Sequence, residues 1–182
     1  MVLRRRFPAA PWSRNLKLMS VFGTVVLLVV GVSAYRAIPL VSGIAHTLGR
    51  GIALALVLSL LGSFLFAVTG YAIDETGLHV ERPLFATRVP LRGLQRVWSD
   101  PHACQGSLRL FGNGGLFSFT GLFRNKALGT YRLFGTDLGR AVVLQLPARR
   151  VVITPADPDA FIAHLQQLFP GASVESADPP AR

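Results

Sequence analysis

The stretch GIALALVLSLLGSFLFAVTGYAI, residues 51–73, is an apolar run without a charged side chain. As a helix it would extend about 34 Å, more than the roughly 30 Å hydrocarbon core of a bilayer. A second run, LMSVFGTVVLLVVGVSAY at residues 18–35, would extend about 27 Å and can span the core if Lys17 snorkels. Because neither run has an amphipathic face, buried core helices are the less favoured interpretation. The runs therefore predict transmembrane helices at residues 18–35 and 51–73.

The basic residues around the two runs predict the orientation of this hairpin. The connection at residues 36–50 carries only two of them, one at each end. The tail at residues 1–17 carries five, namely Arg4, Arg5, Arg6, Arg14 and Lys17. Cytoplasmic flanks of membrane helices are enriched in Lys and Arg. The basic tail is therefore expected in the cytoplasm, the connection outside, and residues 74–182 in the cytoplasm again.

The net charge of +10 mostly reflects this orientation signal. Seven of the 19 Lys and Arg precede residue 51, which leaves 12 against 9 acids in residues 74–182. Such a balance is typical of a solvated surface, so no nucleic-acid partner is expected. Cys104 is the only cysteine, which excludes an intrachain disulfide or a thiolate metal cluster within one chain.

A cleaved signal peptide is an alternative interpretation of the first run. The sequence Val32-Ser33-Ala34 resembles a small-residue cleavage site behind a basic segment, although the run is longer than most signal-peptide cores. After such a cleavage at residue 34, the second run would still enter from outside. The C-terminal part is therefore expected in the cytoplasm under either interpretation.

Small residues in the second run predict a helix-packing face. Ala55, Ser59, Ser63 and Ala67 recur every four positions, which places them on one side of a helix. The first run offers small residues of its own as the facing surface, namely Ser20, Gly23, Thr24 and Gly31. We interpret this as the seam of an antiparallel hairpin, with self-association of the chain as the alternative.

After residue 73 the sequence changes to short apolar and polar alternations separated by Gly, Pro, Asn and Asp. About seven or eight strands are predicted, near residues 78–81, 85–89, 94–98, 108–110, 116–119, 131–134, 141–146 and 151–154. A segment near residues 121–129 is expected to be a loop. So many short strands indicate a sandwich or a barrel.

An amphipathic helix is predicted to follow the strands. Asp157 before Pro158 suits its start, and Thr154 is an alternative cap three residues earlier. Residues 170–182, rich in Ala, Ser and Pro, are expected to be disordered. The apolar positions recur at helical spacing, namely Phe161, Ile162, Leu165, Leu168 and Phe169.

The order of these elements resembles the bacterial PH (pleckstrin-homology)-domain-like membrane proteins. The resemblance covers about residues 70–169. It implies an α+β fold in which a transmembrane hairpin precedes an antiparallel PH-like barrel or sandwich of about seven strands, at residues 74–169, closed by the C-terminal helix. It also implies the bacterial inner membrane as the location. It rests on YAIDETGL at 71–78, VPLRGL at 89–94, GNGGLFSFTGLF at 112–123, LGTY at 128–131, TD at 136–137 and VVITPADPDAF at 151–161.

No enzyme activity, metal or cofactor is predicted. The four histidines show no metal-ligand pairing and are expected to be solvated: His46, His79, His102 and His164. The glycine-rich residues 112–115 lack the Lys-Ser/Thr of a P-loop and are interpreted as a turn or bulge. Inositol-lipid binding is not expected, because the Arg-x-Arg pattern of phosphoinositide-binding PH domains is missing among Arg82, Arg88, Arg92 and Arg96.

Aromatic and basic residues alternate between residues 117 and 134. Such a mixture can dock on an anionic membrane, where each cation contributes about 1 kcal/mol. In the alternative interpretation the aromatic side chains fill the core and the cations are solvated. The candidate membrane or partner surface comprises Phe123, Arg124, Asn125, Lys126, Tyr131 and Arg132.

Together these patterns predict a membrane-anchored, non-catalytic PH-like module for protein–protein interaction, self-assembly or inner-leaflet docking. The alternative function is an accessory or regulatory subunit of a membrane transporter or envelope enzyme complex. A protein partner or a homo-oligomer is compatible with both. The first hypothesis also predicts that residues 74–169 fold alone.

Overall fold

The computed structural model describes residues 4–37 and 43–175 of the chain. Two long helices, α1 (Arg14–Ala37) and α2 (Ile44–Leu65), pack side by side. Both are long and apolar enough to cross a membrane, and their outer sides carry large apolar side chains such as Phe22, which is 71% exposed. The predicted external loop at 36–50 is largely helical, and its residues 38–42 lie outside the described ranges.

The second helix ends at Leu65, although the sequence predicts that it continues to residue 73. The apolar composition continues past the helix because the next element, strand β2 (Gly70–Asp74), is buried on both faces. Tyr71 and Ile73 in this strand are fully inaccessible. A buried strand and a membrane helix look alike in composition. The predicted domain boundary at residue 74 is therefore wrong, because that boundary removes β2 from the domain.

The predicted N-terminal tail contains strand β1 (Arg5–Pro8). This strand pairs antiparallel with β2, with Arg5 opposite Ile73. The ring of Phe7 is buried and lies 5.1 Å from the ring of Phe161 in an edge-on arrangement. Residues 1–17 are therefore not simply a tail, since four of them form part of the folded domain.

The described residues form eleven strands in two open sheets. The four-stranded sheet has the order β1-β2-β3-β4 with antiparallel neighbours. The seven-stranded sheet has the order β11-β5-β9-β10-β8-β7-β6, in which β10–β8 and β11–β5 are parallel. The remaining bounds are β3 (Gly77–Glu81), β4 (Ala86–Val89), β5 (Arg96–Ser99), β6 (Leu108–Gly114), β7 (Phe119–Asn125), β8 (Gly129–Gly135), β9 (Val142–Leu146), β10 (Arg149–Ile153) and β11 (Ser173–Glu175).

Three expectations about the strands are corrected by this arrangement. The sheets are not joined into a closed barrel within residues 4–37 and 43–175, and they are not wholly antiparallel. The predicted loop near residues 121–129 is mostly strand β7, whose Gly121 mimics a turn signal. Residues 173–175 form a strand in the segment expected to be disordered, while residues 176–182 lie outside the described ranges.

The predicted amphipathic helix is present as α3 (Pro158–Leu168). The carboxylate of Asp157 accepts a hydrogen bond from the backbone N–H of Ala160 at 3.0 Å, which caps the first turn. Three apolar side chains of α3 are buried among strands of both sheets: Phe161, Ile162 and Leu165.

Two hydrophobic cores lie on opposite faces of the seven-stranded sheet. The first core fills the space between the two sheets and α3. The second contains Cys104, whose thiol is free, and is covered by Leu16 from the start of α1. Successive side chains of β8 point to opposite faces of the sheet, so Leu133 belongs to the second core and Phe134 to the first. The beginning of α1 is therefore part of the domain's packing.

Candidate functional site

The predicted aromatic and basic surface does not form one patch. Phe123 and Tyr131 are buried and their rings stack with centroids 6.2 Å apart. The Tyr131 hydroxyl lies 2.6 Å from Ser107 Oγ, and burial raises the pKa of that phenol. Arg124 and Lys126 are exposed. Both aromatic side chains thus fill the second core, as the alternative interpretation proposes.

Asn125 has a structural role at the β7–β8 turn. Its amide nitrogen donates to the carbonyl of Ala103 at 2.7 Å and to Ser107 Oγ at 3.1 Å. Its amide oxygen accepts from the backbone N–H of Leu128 at 2.7 Å. The side chain therefore joins the turn to the loop between β5 and β6. Arg132 is exposed on the opposite face of β8 from Tyr131, the same sheet face as Arg124.

The four residues of the predicted helix-packing face lie in different surroundings. Ala55 and Ser59 are exposed, Ser63 is half-buried, and Ala67 is buried beyond the end of α2. The half-buried residues of α2 instead recur at helical spacing at Ala53, Leu56, Leu60 and Ser63.

The small residues of the first helix do not all face α2, since Ser20 and Gly23 lie against the β6–β7 loop. Ser20 is buried, and Gly23, Thr24 and Gly31 are half-buried. A Cβ atom added to Gly31 would lie 4.0 Å from Leu56 Cδ1 of α2. The two helices therefore meet along a face of α2 that is rotated away from Ala55.

The β6–β7 loop joins the domain to both helices. Ser20 Oγ donates to the carbonyl of Gly115 at 3.2 Å and accepts from the N–H of Phe117 at 2.9 Å. Phe117 has a positive φ of 67°, and its ring lies 6.1 Å from Trp12 and 5.8 Å from Phe64. Since Trp12 precedes α1 and Phe64 is near the end of α2, the loop is in contact with both ends of the hairpin.

The glycine-rich segment permits a close approach of two strands. A Cβ atom on Gly121 would lie 2.1 Å from the carbonyl oxygen of Phe111, and Gly121 has a φ of 146°. The register of β6 shifts between Arg109 and Phe111, as in a bulge. Gly112 and Gly121 are paired at this point. The bulge thus precedes the glycine-rich segment, whose residues 112–114 pair regularly with β7 as the end of β6.

The histidines occupy separate places. His79 Nε2 lies 2.9 Å from Asp74 Oδ2 at the β2–β3 turn, while His164 is half-buried and His102 is exposed. The side chain of His46 lies outside the described residues. Among the described residues, no group of three His, Cys, Asp or Glu is placed to bind a metal ion.

A cavity of about 900 Å³ lies between the end of α2 and the two sheets. One wall comes from α2 and its C-cap, through Ser59, Gly62, Ser63 and Phe66. The other walls come from the turn after β3, from Thr87 of β4, and from β6, β7 and β8. The cavity exists because β6 and β7 lie beyond the core between the sheets, whose large-sheet residues come from β5, β8, β9 and β10.

Three arginines line this cavity: Arg82, Arg109 and Arg132. No acidic residue is among the described residues that line it. Within the same described ranges, no carboxylate forms an ion pair with any of the three. The cavity is therefore electropositive. Its apolar lining includes Phe111 and Phe134.

Arg82 is the buried member of the three, with 7% of its surface exposed. Its Nε donates to Thr87 Oγ1 at 3.0 Å and its Nη1 donates to the carbonyl of Phe66. The guanidinium carbon lies 5.2 Å from the ring centroid of Phe66, 5.5 Å from that of Phe85 and 5.7 Å from that of Phe134. Burial lowers the pKa of Arg82 from its usual value. The charge is thus fixed in place by aromatic faces and neutral acceptors.

Sequence reasoning missed this cavity. Arg82, Arg109 and Arg132 come from separate strands or turns, and no spacing rule connects them. Part of its lining was among the predicted site residues. Arg132 belongs to the predicted basic surface, and Ser59 and Ser63 belong to the predicted helix face.

Comparison with known proteins identifies one family. The family description "Bacterial PH domain" matches residues 69–169. Comparison with curated proteins gives no match. The matched segment begins just before β2 and ends at Phe169, the C-cap of α3, so it includes the strand that sequence patterning assigned to the membrane. The chain belongs to the bacterial PH-domain family and carries two apolar helices on the N-terminal side of the matched domain.

Proposed function

We propose that the protein is a non-catalytic, membrane-anchored PH-like module that acts at the inner leaflet of the bacterial cytoplasmic membrane. The pairing of β1 with β2 is the observation that carries this proposal. Strand β1 precedes α1 and β2 follows α2, so a hydrogen-bonded sheet joins the two ends of the hairpin. Both ends must then lie on one side of any membrane that the helices cross.

The charges near these ends support the cytoplasmic side. Five basic residues precede or begin α1, and membrane proteins keep such residues in the cytoplasm. Trp12 is 38% exposed before α1 and Phe66 is 50% exposed after α2. Aromatic residues favour the membrane–water interface. This arrangement favours a domain that is held directly against the inner leaflet.

A binding role is favoured because PH-like folds serve as platforms whose function depends on the grafted site. The electropositive cavity beside α2 is such a site, and it adjoins the helix that would cross the bilayer. Docking at the leaflet therefore agrees with the position of the cavity as well as with the anchor.

Protein interaction is a second candidate function, supported by strand β6. This strand forms one edge of the seven-stranded sheet. Leu108, Leu110 and Phe111 on it are 68%, 48% and 79% exposed. Exposed apolar edge strands pair readily with strands of other chains. Self-assembly, or a role as an accessory subunit of a transporter or envelope enzyme complex, would use this edge.

Cysteine labelling tests the proposed topology. Single-cysteine variants Arg5→Cys, Arg36→Cys and Arg124→Cys, in a Cys104→Ala background, are treated with a membrane-impermeant maleimide in spheroplasts. All three arginines are exposed, so their replacement leaves the cores intact. We expect labelling of Arg36→Cys alone, and labelling of the other two only after the membrane is permeabilised.

The outcome for Arg5→Cys against Arg124→Cys is decisive. The first lies in β1 and the second in β7, and the two sheets that contain these strands share one core, so the fold requires both residues to be in the same compartment. Labelling of one without the other in intact spheroplasts would refute the topology. Labelling of both, with protection of Arg36→Cys, would place the domain outside and refute the inner-leaflet assignment.

A further inference from the structure

We propose that the cavity between α2 and the two sheets binds the headgroup of an anionic phospholipid taken from the surrounding leaflet. The inference rests on the proposed function, because it requires that α2 crosses the membrane. It goes further by assigning a ligand class and the residues that bind it.

The first argument is the position of the cavity relative to the bilayer. Ser59, Gly62 and Ser63 lie in the last two turns of α2, and Phe66 follows the helix end. In a membrane these residues would lie at the inner edge of the hydrocarbon core, where headgroups begin. A lipid beside α2 therefore has its phosphate at the level of the cavity without leaving its leaflet.

The second argument is uncompensated positive charge. A buried charge is normally paired, because transfer of an unpaired ion from water is costly. Arg82 is 7% exposed and has only neutral acceptors among the described residues. Its guanidinium carries five N–H donors, of which the carbonyl of Phe66 and the hydroxyl of Thr87 use two. A phosphate beside it would supply the missing negative charge, in a geometry that arginine matches well.

Arg109 and Arg132 extend this positive surface toward solvent. Both are exposed and line the same cavity as Arg82. The Arg109 side chain lies over Gly114, where an added Cβ atom would come within 2.8 Å of its Nη1. Three arginines around one opening favour a multiply bonded anion such as a phosphodiester.

The third argument separates a lipid from a soluble phosphate. Apolar side chains share the cavity with the arginines, among them Phe111 and Leu122. Phe111 is 79% exposed, which is unfavourable in water but suits contact with an acyl chain. The volume of about 900 Å³ exceeds what a single phosphate fills. An amphiphile such as a phospholipid can contact both the arginines and the apolar side chains of the lining.

Native mass spectrometry of the purified full-length protein tests the inference. The protein in detergent micelles is titrated with phosphatidylglycerol, with phosphatidylcholine of the same chain length, and with glycerol 3-phosphate. We expect retention of phosphatidylglycerol, with at least about tenfold weaker retention of the zwitterionic lipid because the arginines select net negative charge. Equal retention of the two lipids would overturn the proposal, and binding of glycerol 3-phosphate as tight as that of the lipid would overturn the lipid assignment.

Two pairs of variants locate the site. The double variant Arg109→Gln with Arg132→Gln should weaken phosphatidylglycerol binding at least about tenfold, whereas the exposed Arg124→Gln outside the cavity should not. Gly62→Leu should block the cavity, because Gly62 lines it and nothing within 4 Å of a Cβ atom there would keep the new side chain out of it. Gly51→Leu is its matched control, since that glycine of α2 also has open space around it and does not line the cavity.

The two proposals fail in distinguishable ways. Equal phosphatidylglycerol binding by the double variant and by Arg124→Gln would overturn the lipid site. Cysteine labelling would still report the compartments of Arg5→Cys and Arg124→Cys in that case. Conversely, labelling that puts β1 and β7 on opposite sides would refute the proposed function before any lipid is added.

Discussion

Replacement of Phe7 by alanine tests whether the segment before the first helix belongs to the domain. Phe7 is the buried side chain of β1, with 7% of its surface exposed, and its ring lies 5.1 Å from that of Phe161 in α3. If residues 1–17 were a solvated tail, the truncation would cost nothing. In the sheet described here, it opens a cavity between β1 and α3.

The expected cost follows from burial. Truncation of a buried Phe to Ala usually costs about 3–5 kcal/mol. Because β1 is the edge strand of the four-stranded sheet and can fray, we expect the lower end of that range, about 3 kcal/mol. With a urea m value of about 2 kcal/mol/M, the unfolding midpoint should fall by about 1.5 M.

The measurement is urea unfolding of the full-length protein in detergent. The fluorescence of Trp98 reports the transition, in a Trp12→Phe background that removes the other tryptophan. Trp98 is half-buried in β5, away from β1 in sequence and sheet. Phe22→Ala is the matched control, because it removes the same ring from a position that is 71% exposed on α1. Its midpoint should not change.

Equal midpoints for Phe7→Ala, Phe22→Ala and the parent protein would refute the reasoning. The same result would remove the structural basis for placing both ends of the hairpin on one side. Trypsin provides a second readout, since Arg5 and Arg6 lie within β1 and should be cut faster in Phe7→Ala than in Phe22→Ala.

Two further predictions concern the sheets. Tyr71→Phe should lower the free energy of unfolding by about 2 kcal/mol, because the buried hydroxyl donates to the carbonyl of Phe134 at 2.7 Å and accepts from the N–H of Thr154 at 3.1 Å. The same urea titration measures it, and an unchanged midpoint would contradict that role. Leu108→Lys with Leu110→Lys should reduce crosslinking of the protein to itself or to partners in native membranes if β6 is an interaction edge. Thr130→Lys on β8 is the exposed control, and equal crosslinking of both variants would contradict the role of β6.

The sequence predicts the C-terminal part of the fold well where periodicity and capping agree. Helix α3 begins at Pro158, directly after the cap residue Asp157, as expected from a cap followed by proline. Strand β3 likewise alternates between buried Leu78 and Val80 and half-buried His79. In such elements the local pattern and the tertiary environment coincide.

The sequence misleads where burial is complete or where the partner is distant. Tyr71 and Ile73 are fully buried, so β2 has the composition of the helix before it. The arginines of β1 resemble a membrane flank, and its pairing partner lies beyond both helices. Fragment 74–169, predicted to fold alone, lacks both strands and their core residues, so we expect it to be unstable.

The candidate site was predictable only in part. Arg132 lies on β8, where side chains alternate between the two faces, so Arg132 is expected on the opposite face from Tyr131. Arg132 lines the same cavity as Arg82 only because the two sheets pack together, and local sequence patterns do not encode that packing. The bulge between Arg109 and Phe111 also changes which side chains of β6 share a face.

The pairing of Arg5 with Ile73 also determines when the four-stranded sheet can form during synthesis of the protein. Strand β1 is synthesised first, yet its partner leaves the ribosome only after both helices. If the two helices cross a membrane as proposed, β1 must therefore remain unpaired while the hairpin is inserted. A hairpin that inserts with its ends on opposite sides can never close this sheet. The domain then lacks Phe7 in its core, and the unfinished sheet exposes apolar surface by which cellular quality control can recognise a failed insertion.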